Sequence, residues 1–116
     1  MALTELETAR VRKAVSAFLE RRRPPPHLRE EFDLAFRVSG QSVEIFEVRR
    51  AHGGSPGEKI EFPVAKATYI RSARRWRVLW LRQDMKWHSY EPVPVVDTID
   101  EFITLVHEDR NDCFFG

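Results

Sequence analysis

The sequence contains almost no cysteine and no long apolar run. Cys113 is the only cysteine among 116 residues, so an intrachain disulfide is impossible. One cysteine and four scattered histidines do not supply the four clustered ligands of a structural zinc site. No apolar stretch approaches the roughly 20 residues needed to cross a bilayer, and the first residues lack the basic start of a secretory signal. We therefore expect a cytoplasmic protein without membrane contact, bound metal or cofactor.

The net charge of +1 conceals an uneven distribution. Residues 66–90 carry seven Lys or Arg and one acid, whereas residues 91–116 carry seven acids and one Arg. Blocks of opposite sign usually neutralise one another within a fold, but a strongly basic segment can instead face an anionic partner. A content of 42% hydrophobic and 32% charged residues is typical of a globular chain, and the length suits a single domain over 1–116.

Two helices are predicted, one near each end of the chain. Thr4 and Glu7 have capping-box spacing ahead of an apolar stripe at helical period, which predicts a helix over 1–23. Three prolines then stop that helix and begin a stiff polyproline spacer over 24–29. A second apolar stripe predicts a helix over 97–109, and we expect the tail at 110–116 to dock through its two phenylalanines. The second stripe consists of Ile99, Phe102, Ile103 and Val106.

Residues 30–92 predict an antiparallel sheet of five strands in meander order. Gly40 followed by Gln41 suits a two-residue type II′ turn, which pairs Val38 with Val43 and Arg37 with Glu44. Turn-forming residues over 51–57 predict a loop. In the third strand, Pro63 indicates an edge position or a bulge. The fourth strand has apolar residues on both faces, so we expect it to be covered on both sides. The fold class is thus α+β, with both helices packed on one face of the sheet.

Several segments in this order resemble a bacterial family known as domain of unknown function 3024. They are residues 46–49, 63–69, 76–80, 86–88 and 90–92, together with the ending Cys113-Phe114-Phe115-Gly116. The resemblance covers most of the chain from Phe32 onward. The family has no assigned activity, so the resemblance implies no reaction and no ligand.

Four residues are candidates for catalysis. Glu47 and Arg49 lie on the apolar face of the second strand, where a charge is costly unless it is paired; such a pair is more often structural than catalytic. His88 and Tyr90 share a face of the fifth strand, and a His–Tyr pair beside an acid can transfer protons. Asp33 with Glu47 suggests the metal-binding carboxylates of restriction-type nucleases, but the hairpin register directs these two side chains to opposite faces.

The basic hairpin at 66–90 is the candidate binding surface. Basic residues interleaved with aromatics on a sheet hold single-stranded nucleic acids through phosphate contacts and base stacking. The simpler explanation is that Trp76, Val78 and Trp80, at period two, form a core face. The candidate binding residues are Arg71, Arg74, Arg75, Arg77 and Trp76.

The sequence favours a non-catalytic binding or interaction domain. The first alternative is a small hydrolase-type enzyme that uses Glu47, Arg49 and His88, which requires these side chains to converge. The second is a protein that binds single-stranded nucleic acid through residues 66–90. A protein partner or a homo-oligomer is compatible with the sequence, whose charge pattern makes a nucleic-acid partner the less favoured one.

Overall fold

The computed structural model describes residues 2–51, 53 and 57–115, so most of the predicted loop at 51–57 lies outside the described residues. The elements follow in the order α1 (Glu5–Arg22), a 3₁₀ turn (Pro26–Leu28), β1 (Phe32–Ser39), β2 (Ser42–Arg50), β3 (Lys59–Ile70), β4 (Arg75–Leu81), β5 (Trp87–Ser89), β6 (Val95–Val96) and α2 (Ile99–Glu108). The fold class is α+β, as the sequence predicts. No described helix is both long and apolar enough to cross a membrane.

The predicted capping box starts α1. The Thr4 hydroxyl accepts a hydrogen bond from the Glu7 amide at 3.1 Å, and the Thr4 amide donates to the Glu7 carboxylate at 2.8 Å. The helix ends before Pro24 because prolines have no amide hydrogen to continue the ladder. The spacer is not wholly polyproline, since Pro26–Leu28 form a 3₁₀ turn in which the Leu28 amide donates to the Pro25 carbonyl.

The first five strands form an antiparallel meander in sequence order. The predicted hairpin register is confirmed, because Val38 pairs with Val43 and Arg37 with Glu44. Gly40 has a φ of +60°, the left-handed value that the first central position of a type II′ turn requires. This register fixes which side chains of β1 and β2 lie on each face of the sheet.

Two features of the sheet modify the predicted meander. The pairing of β2 with β3 shifts by one residue after Ile45. Ile45 opposes Ala65, but the next residue, Phe46, opposes Pro63, so Val64 has no partner on β2 in this register. This is a bulge at Pro63, one of the two options that its presence indicates. The five-strand prediction missed β6, whose two residues pair with Trp76 and Arg77 of β4. Two prolines shortly before it, Pro92 and Pro94, make so short a strand hard to recognise in the sequence.

Both helices pack on one face of the sheet, which we call the helix face. Residues of α1, α2 and this face form a common core, in which Val43, Ile45 and Val78 are fully buried. The other face, the open face, carries Leu79 and Leu81, which are half-buried. The expectation that β4 is covered on both sides is therefore wrong. These leucines lie beside side chains of neighbouring strands, such as Trp87, which pairs with Leu81. They are not covered by a second layer of secondary structure among the described residues.

The C-terminal tail docks on the domain. Asp109 ends α2 in the left-handed conformation, and its carboxylate accepts hydrogen bonds from the amides of Phe114 at 3.0 Å and Phe115 at 2.8 Å. Phe114 is buried and its ring lies 4.9 Å from that of Tyr90. The tail thus closes one end of the core.

Candidate functional site

A cleft of about 580 Å³ opens between α1, the turn that joins β3 to β4, and the start of α2. We call it the helix–turn cleft. Its volume lies within the range of small-molecule sites, roughly 300–1,000 Å³. The lining residues are Glu7, Arg10, Val11, Lys13, Ala14, Ala17, Tyr69, Arg74, Trp76, Asp97, Thr98, Ile99 and Asp100.

Two aromatic residues on the helix face contribute apolar surface to this cleft. Tyr69 and Trp76 are cross-strand partners on β3 and β4, and their ring centroids lie 5.0 Å apart at an interplanar angle of 50°. Trp76 is buried, whereas Tyr69 is half-buried. Val11 and Ala14 of α1 line the opposite wall. Such a surface suits a flat apolar group, because aromatic pairs stack or meet edge to face.

Two carboxylates that line the cleft are already paired. Arg71 donates to Glu7 at 3.0 and 3.3 Å, and mainly for this reason the pKa of Glu7 falls from 4.5 to about 2. Arg75 lies 2.9 Å from the Asp97 carboxylate. Arg71 and Arg75, two of the candidate binding residues, thus neutralise acids of the domain itself. The Arg75–Asp97 pair is a contact in which the basic hairpin and the acidic last segment neutralise each other.

Three cations line the same cleft without such a partner. Within the described part of the chain, Arg10, Lys13 and Arg74 form no ion pair at 4.0 Å or less with a carboxylate. All three are exposed. Asp100, in the first turn of α2, is a lining acid with no ion pair among these. The cleft therefore combines an apolar surface with an excess of unneutralised positive charge.

Arg74 has a backbone conformation that few side chains adopt. Its φ is +54°, in the left-handed region that favours glycine or asparagine. It ends the tight turn in which the Arg74 amide donates to the Arg71 carbonyl. A bulky residue in this conformation costs free energy, and such residues concentrate at functional sites.

The candidate residues Glu47 and Arg49 form an ion pair. The Arg49 guanidinium lies 2.7 Å from the Glu47 carboxylate and above the rings of Phe32 and Phe62, at 5.2 and 5.6 Å. The Glu47 side chain is 12% exposed, but that of Arg49 is 54% exposed. The pair therefore lies at the surface rather than in a closed site.

His88 does not converge with that pair. It lies on β5, and β3 and β4 separate β5 from β2, which at a strand spacing of about 4.8 Å amounts to roughly 14 Å. Its ring contacts Asp84 at 2.8 Å, and this contact lowers the pKa of Asp84. The Tyr90 hydroxyl instead accepts from Asn111 at 2.9 Å. The structure thus brings together Glu47 and Arg49 and leaves His88 and Tyr90 with other partners; a catalytic role for any of them stays a prediction.

The carboxylate arrangement of a nuclease is absent from the hairpin, as the register predicts. Asp33 pairs with Val48, so it lies on the face opposite Glu47. Arg23 binds the Asp33 carboxylate through two hydrogen bonds of 2.8 and 2.7 Å and lowers its pKa. Within the described residues, no group of three His, Cys, Asp or Glu side chains could hold a metal ion.

The candidate binding residues are divided between two surfaces. Trp76 is buried on the helix face, and Arg74 lines the cleft beside it. Arg77 is exposed on the open face, where Lys66 lies 5.7 Å from the ring of Trp87. Sequence reasoning missed Arg10 and Lys13 because they project from the polar side of α1, and that pattern does not reveal which edge of the helix meets the sheet.

These features define an α+β domain with an apolar, positively rimmed cleft. The family model of the domain of unknown function DUF3024 matches residues 3–116. This chain belongs to that family. None of the curated proteins and none of the solved structures matches it.

Proposed function

We propose that this chain is a non-catalytic binding domain that holds a small ligand in the helix–turn cleft. The ligand would have a flat apolar part and an anionic group. The observation that carries the proposal is that one cleft of about 580 Å³ contains the Tyr69–Trp76 pair and three cations that form no ion pair with any carboxylate of the described residues. Apolar walls with a few placed polar groups are typical of small-molecule sites.

The charge of the cleft supports an anionic group on the ligand. Glu7 and Asp97 are held by arginines at 3.0 and 2.9 Å, so they do not repel an anion strongly. Arg10, Lys13 and Arg74 remain to attract it, against Asp100 alone among the lining acids. A charged hydrogen bond contributes about 1.5–3 kcal/mol, so one such contact is enough to select an anionic over a neutral ligand.

The left-handed conformation of Arg74 supports a role for its guanidinium. Glycine would fit this turn without strain, whereas an arginine is strained there. No other feature of the described residues explains why the turn contains an arginine. Arg74 has no ion-pair partner among the described residues, whereas its neighbours Arg71 and Arg75 each have one. A ligand anion would supply that partner.

Binding of defined probes tests the proposal. Benzoate, naphthoate and phenyl phosphate would be titrated into the protein and followed by the amide and indole resonances of the cleft. We expect shifts centred on Trp76 and Arg74, and at least about tenfold weaker binding after Arg74→Gly. Benzamide serves as the neutral probe, and Arg77→Gly removes the same charge from the open face of the adjoining strand.

Different results of these titrations would contradict different parts of the proposal. Equal affinity for benzoate and benzamide would remove the anionic part of the proposal. Shifts centred on another surface, or no binding by any probe at millimolar concentration, would overturn the cleft as the site. An Arg77→Gly effect as large as that of Arg74→Gly would indicate non-specific electrostatic attraction.

A bacterial, cytoplasmic setting is part of the same proposal. The single cysteine agrees with a reducing compartment, and the segments quoted above resemble a bacterial family. Fractionation of cells that express the protein with its native ends tests the compartment.

A further inference from the structure

The first half of β3 has an outer edge to which no described strand is paired. β3 begins at Lys59, but its pairing with β4 begins only at Ala65. The side chains of Ile60 and Phe62 are 45% and 46% exposed there, although both residues are large and apolar. An exposed strand edge with apolar side chains is a template for another strand.

The hydrogen-bond phase of the ladder shows which backbone groups face outward. The Ala51 amide donates to the Glu58 carbonyl at 2.9 Å, so these residues form a hydrogen-bonded pair. Because such pairs alternate in an antiparallel ladder, Ile60 and Phe62 direct their backbone groups toward β2. Lys59 and Glu61 therefore direct theirs outward, where a further strand could receive them.

We propose that two copies of this chain associate by antiparallel pairing of this edge with itself, centred on Ile60. In this register Lys59 of one copy lies opposite Glu61 of the other, twice, by symmetry. The outward amides and carbonyls of these residues then form two hydrogen-bonded pairs. Ile60 packs against Ile60 of the second copy, since directly opposed side chains on one face are in contact.

Charge complementarity indicates that the partner of this strand edge is a second copy of the chain. Lys59 and Glu61 lie two residues apart on the open face, so their order reverses in an antiparallel neighbour and opposite charges meet. The ion pairs that Lys59 and Glu61 form within one copy do not prevent these contacts with the second copy. Lys59 lies 3.9 Å from a Glu30 that is 86% exposed, and Glu61 pairs with the exposed Arg37. An ammonium has three donors and a carboxylate about four acceptor positions, so each can bind a second partner.

Pro63 and the two-fold symmetry limit the association to a closed dimer. Pro63 has no amide hydrogen to donate, and the bulge beside it turns the strand. Pairing by a two-fold axis also consumes the same edge in both copies. The result is one continuous sheet across two domains rather than a growing fibre.

Charge exchange tests the register directly. The wild-type mass would be measured by sedimentation over a range of concentrations, together with Lys59→Glu, Glu61→Lys and the double variant. We expect a concentration-dependent dimer for the wild type and at least tenfold weaker association for each single variant, because like charges then face each other twice. Lys59→Glu leaves the Arg37–Glu61 pair in place, so its effect cannot arise from losing that contact.

Restoration provides the decisive result. The double variant restores opposite charges within its own dimer, and mixing the two single variants restores them in a heterodimer. Recovery in both cases also demonstrates that the single variants are folded. A wild-type chain that stays monomeric up to millimolar concentration overturns the proposal, as do single variants that dimerise normally. Weakened single variants without recovery on mixing would overturn the register centred on Ile60.

Discussion

Arg71, at the end of β3, binds the carboxylate of Glu7 in the first turn of α1. The guanidinium nitrogens lie 3.0 and 3.3 Å from the carboxylate oxygens. The same carboxylate accepts the Thr4 amide and closes the capping box. One side chain therefore both starts the helix and ties it to the sheet at the mouth of the cleft.

This contact predicts a loss of stability in acid. The pKa of Glu7 is about 2 in the folded protein and 4.5 for the free group. A depressed folded-state pKa means that the contribution is complete above about pH 4.5 and disappears as the pH falls toward about 2. The urea midpoints of the wild type and Glu7→Gln should differ at pH 7 and converge through this window. Glu5→Gln, which removes a charge from the same turn without removing the Arg71 contact, is the control variant; a difference between Glu7→Gln and the wild type that stays constant across this window would contradict the assignment.

Arg74→Gly should stabilise the protein while weakening the binding of anionic probes. Relief of the left-handed conformation contributes about 1–2 kcal/mol, and the greater freedom of the unfolded glycine chain takes back about 0.4–1 kcal/mol. The net gain should be about 0.5–1 kcal/mol by urea unfolding. Ala73→Gly, whose φ is not positive, should instead lose roughly 0.5–1 kcal/mol. A loss for both variants would show that the Arg74 side chain stabilises the turn.

The Glu47–Arg49 pair should respond asymmetrically to truncation. Glu47→Ala leaves an exposed guanidinium that water can solvate, so the loss should stay below about 1 kcal/mol, as for surface pairs. Arg49→Ala uncovers a carboxylate that is 12% exposed together with two phenylalanine rings, and should cost about 1–3 kcal/mol. Chemical denaturation of the two variants measures the difference. Equal losses would mean that Glu47 makes its main contact elsewhere.

Asp109 should control the docking of the C-terminal tail. Asp109→Asn keeps a residue that tolerates the left-handed conformation but replaces one of the two acceptor oxygens with a donor. We expect a loss of about 1–2 kcal/mol and faster reaction of Cys113 with Ellman's reagent, because burial is the main cause that raises the pKa of this thiol.

Asp112→Asn is the matched control for the tail. Asp112 also has a positive φ, of 54°, and its replacement removes the same charge near Cys113. It should leave the melting temperature nearly unchanged and accelerate the thiol reaction less than Asp109→Asn does, because burial contributes more than the charge of Asp112 to the raised pKa of Cys113. Similar acceleration in both variants would attribute the effect to charge rather than to undocking of Phe114.

Single-stranded nucleic acid should bind only weakly. Arg71 and Arg75 are engaged by acids, Trp76 is buried, and acidic groups within a Debye length of about 8 Å reduce the field of the hairpin. We expect a Kd weaker than about 10⁻⁵ M at physiological salt, close to the non-specific range. Titration of a labelled oligonucleotide measures it. Submicromolar binding that falls steeply with salt would make the hairpin the functional surface.

Local chemistry predicted much of the fold. The capping box, the two apolar stripes and the glycine of the hairpin turn each act over a few residues, so their structures follow from the nearby sequence. The hairpin register then follows from the turn alone, and with it the opposite faces of Asp33 and Glu47. The two-residue strand β6 could not be predicted in this way, because it forms only by pairing with β4.

The sequence by itself determined the helices, the five-strand meander and the proximity of Glu47 to Arg49 on one strand. Only the tertiary structure decided that His88 lies far from them, that Arg71 and Arg75 are neutralised, and that Arg10 and Lys13 meet Arg74 at one cleft. The reason is physical. Contacts within a turn or a strand depend on bond geometry, whereas contacts between α1, α2 and the sheet depend on how their apolar faces pack together.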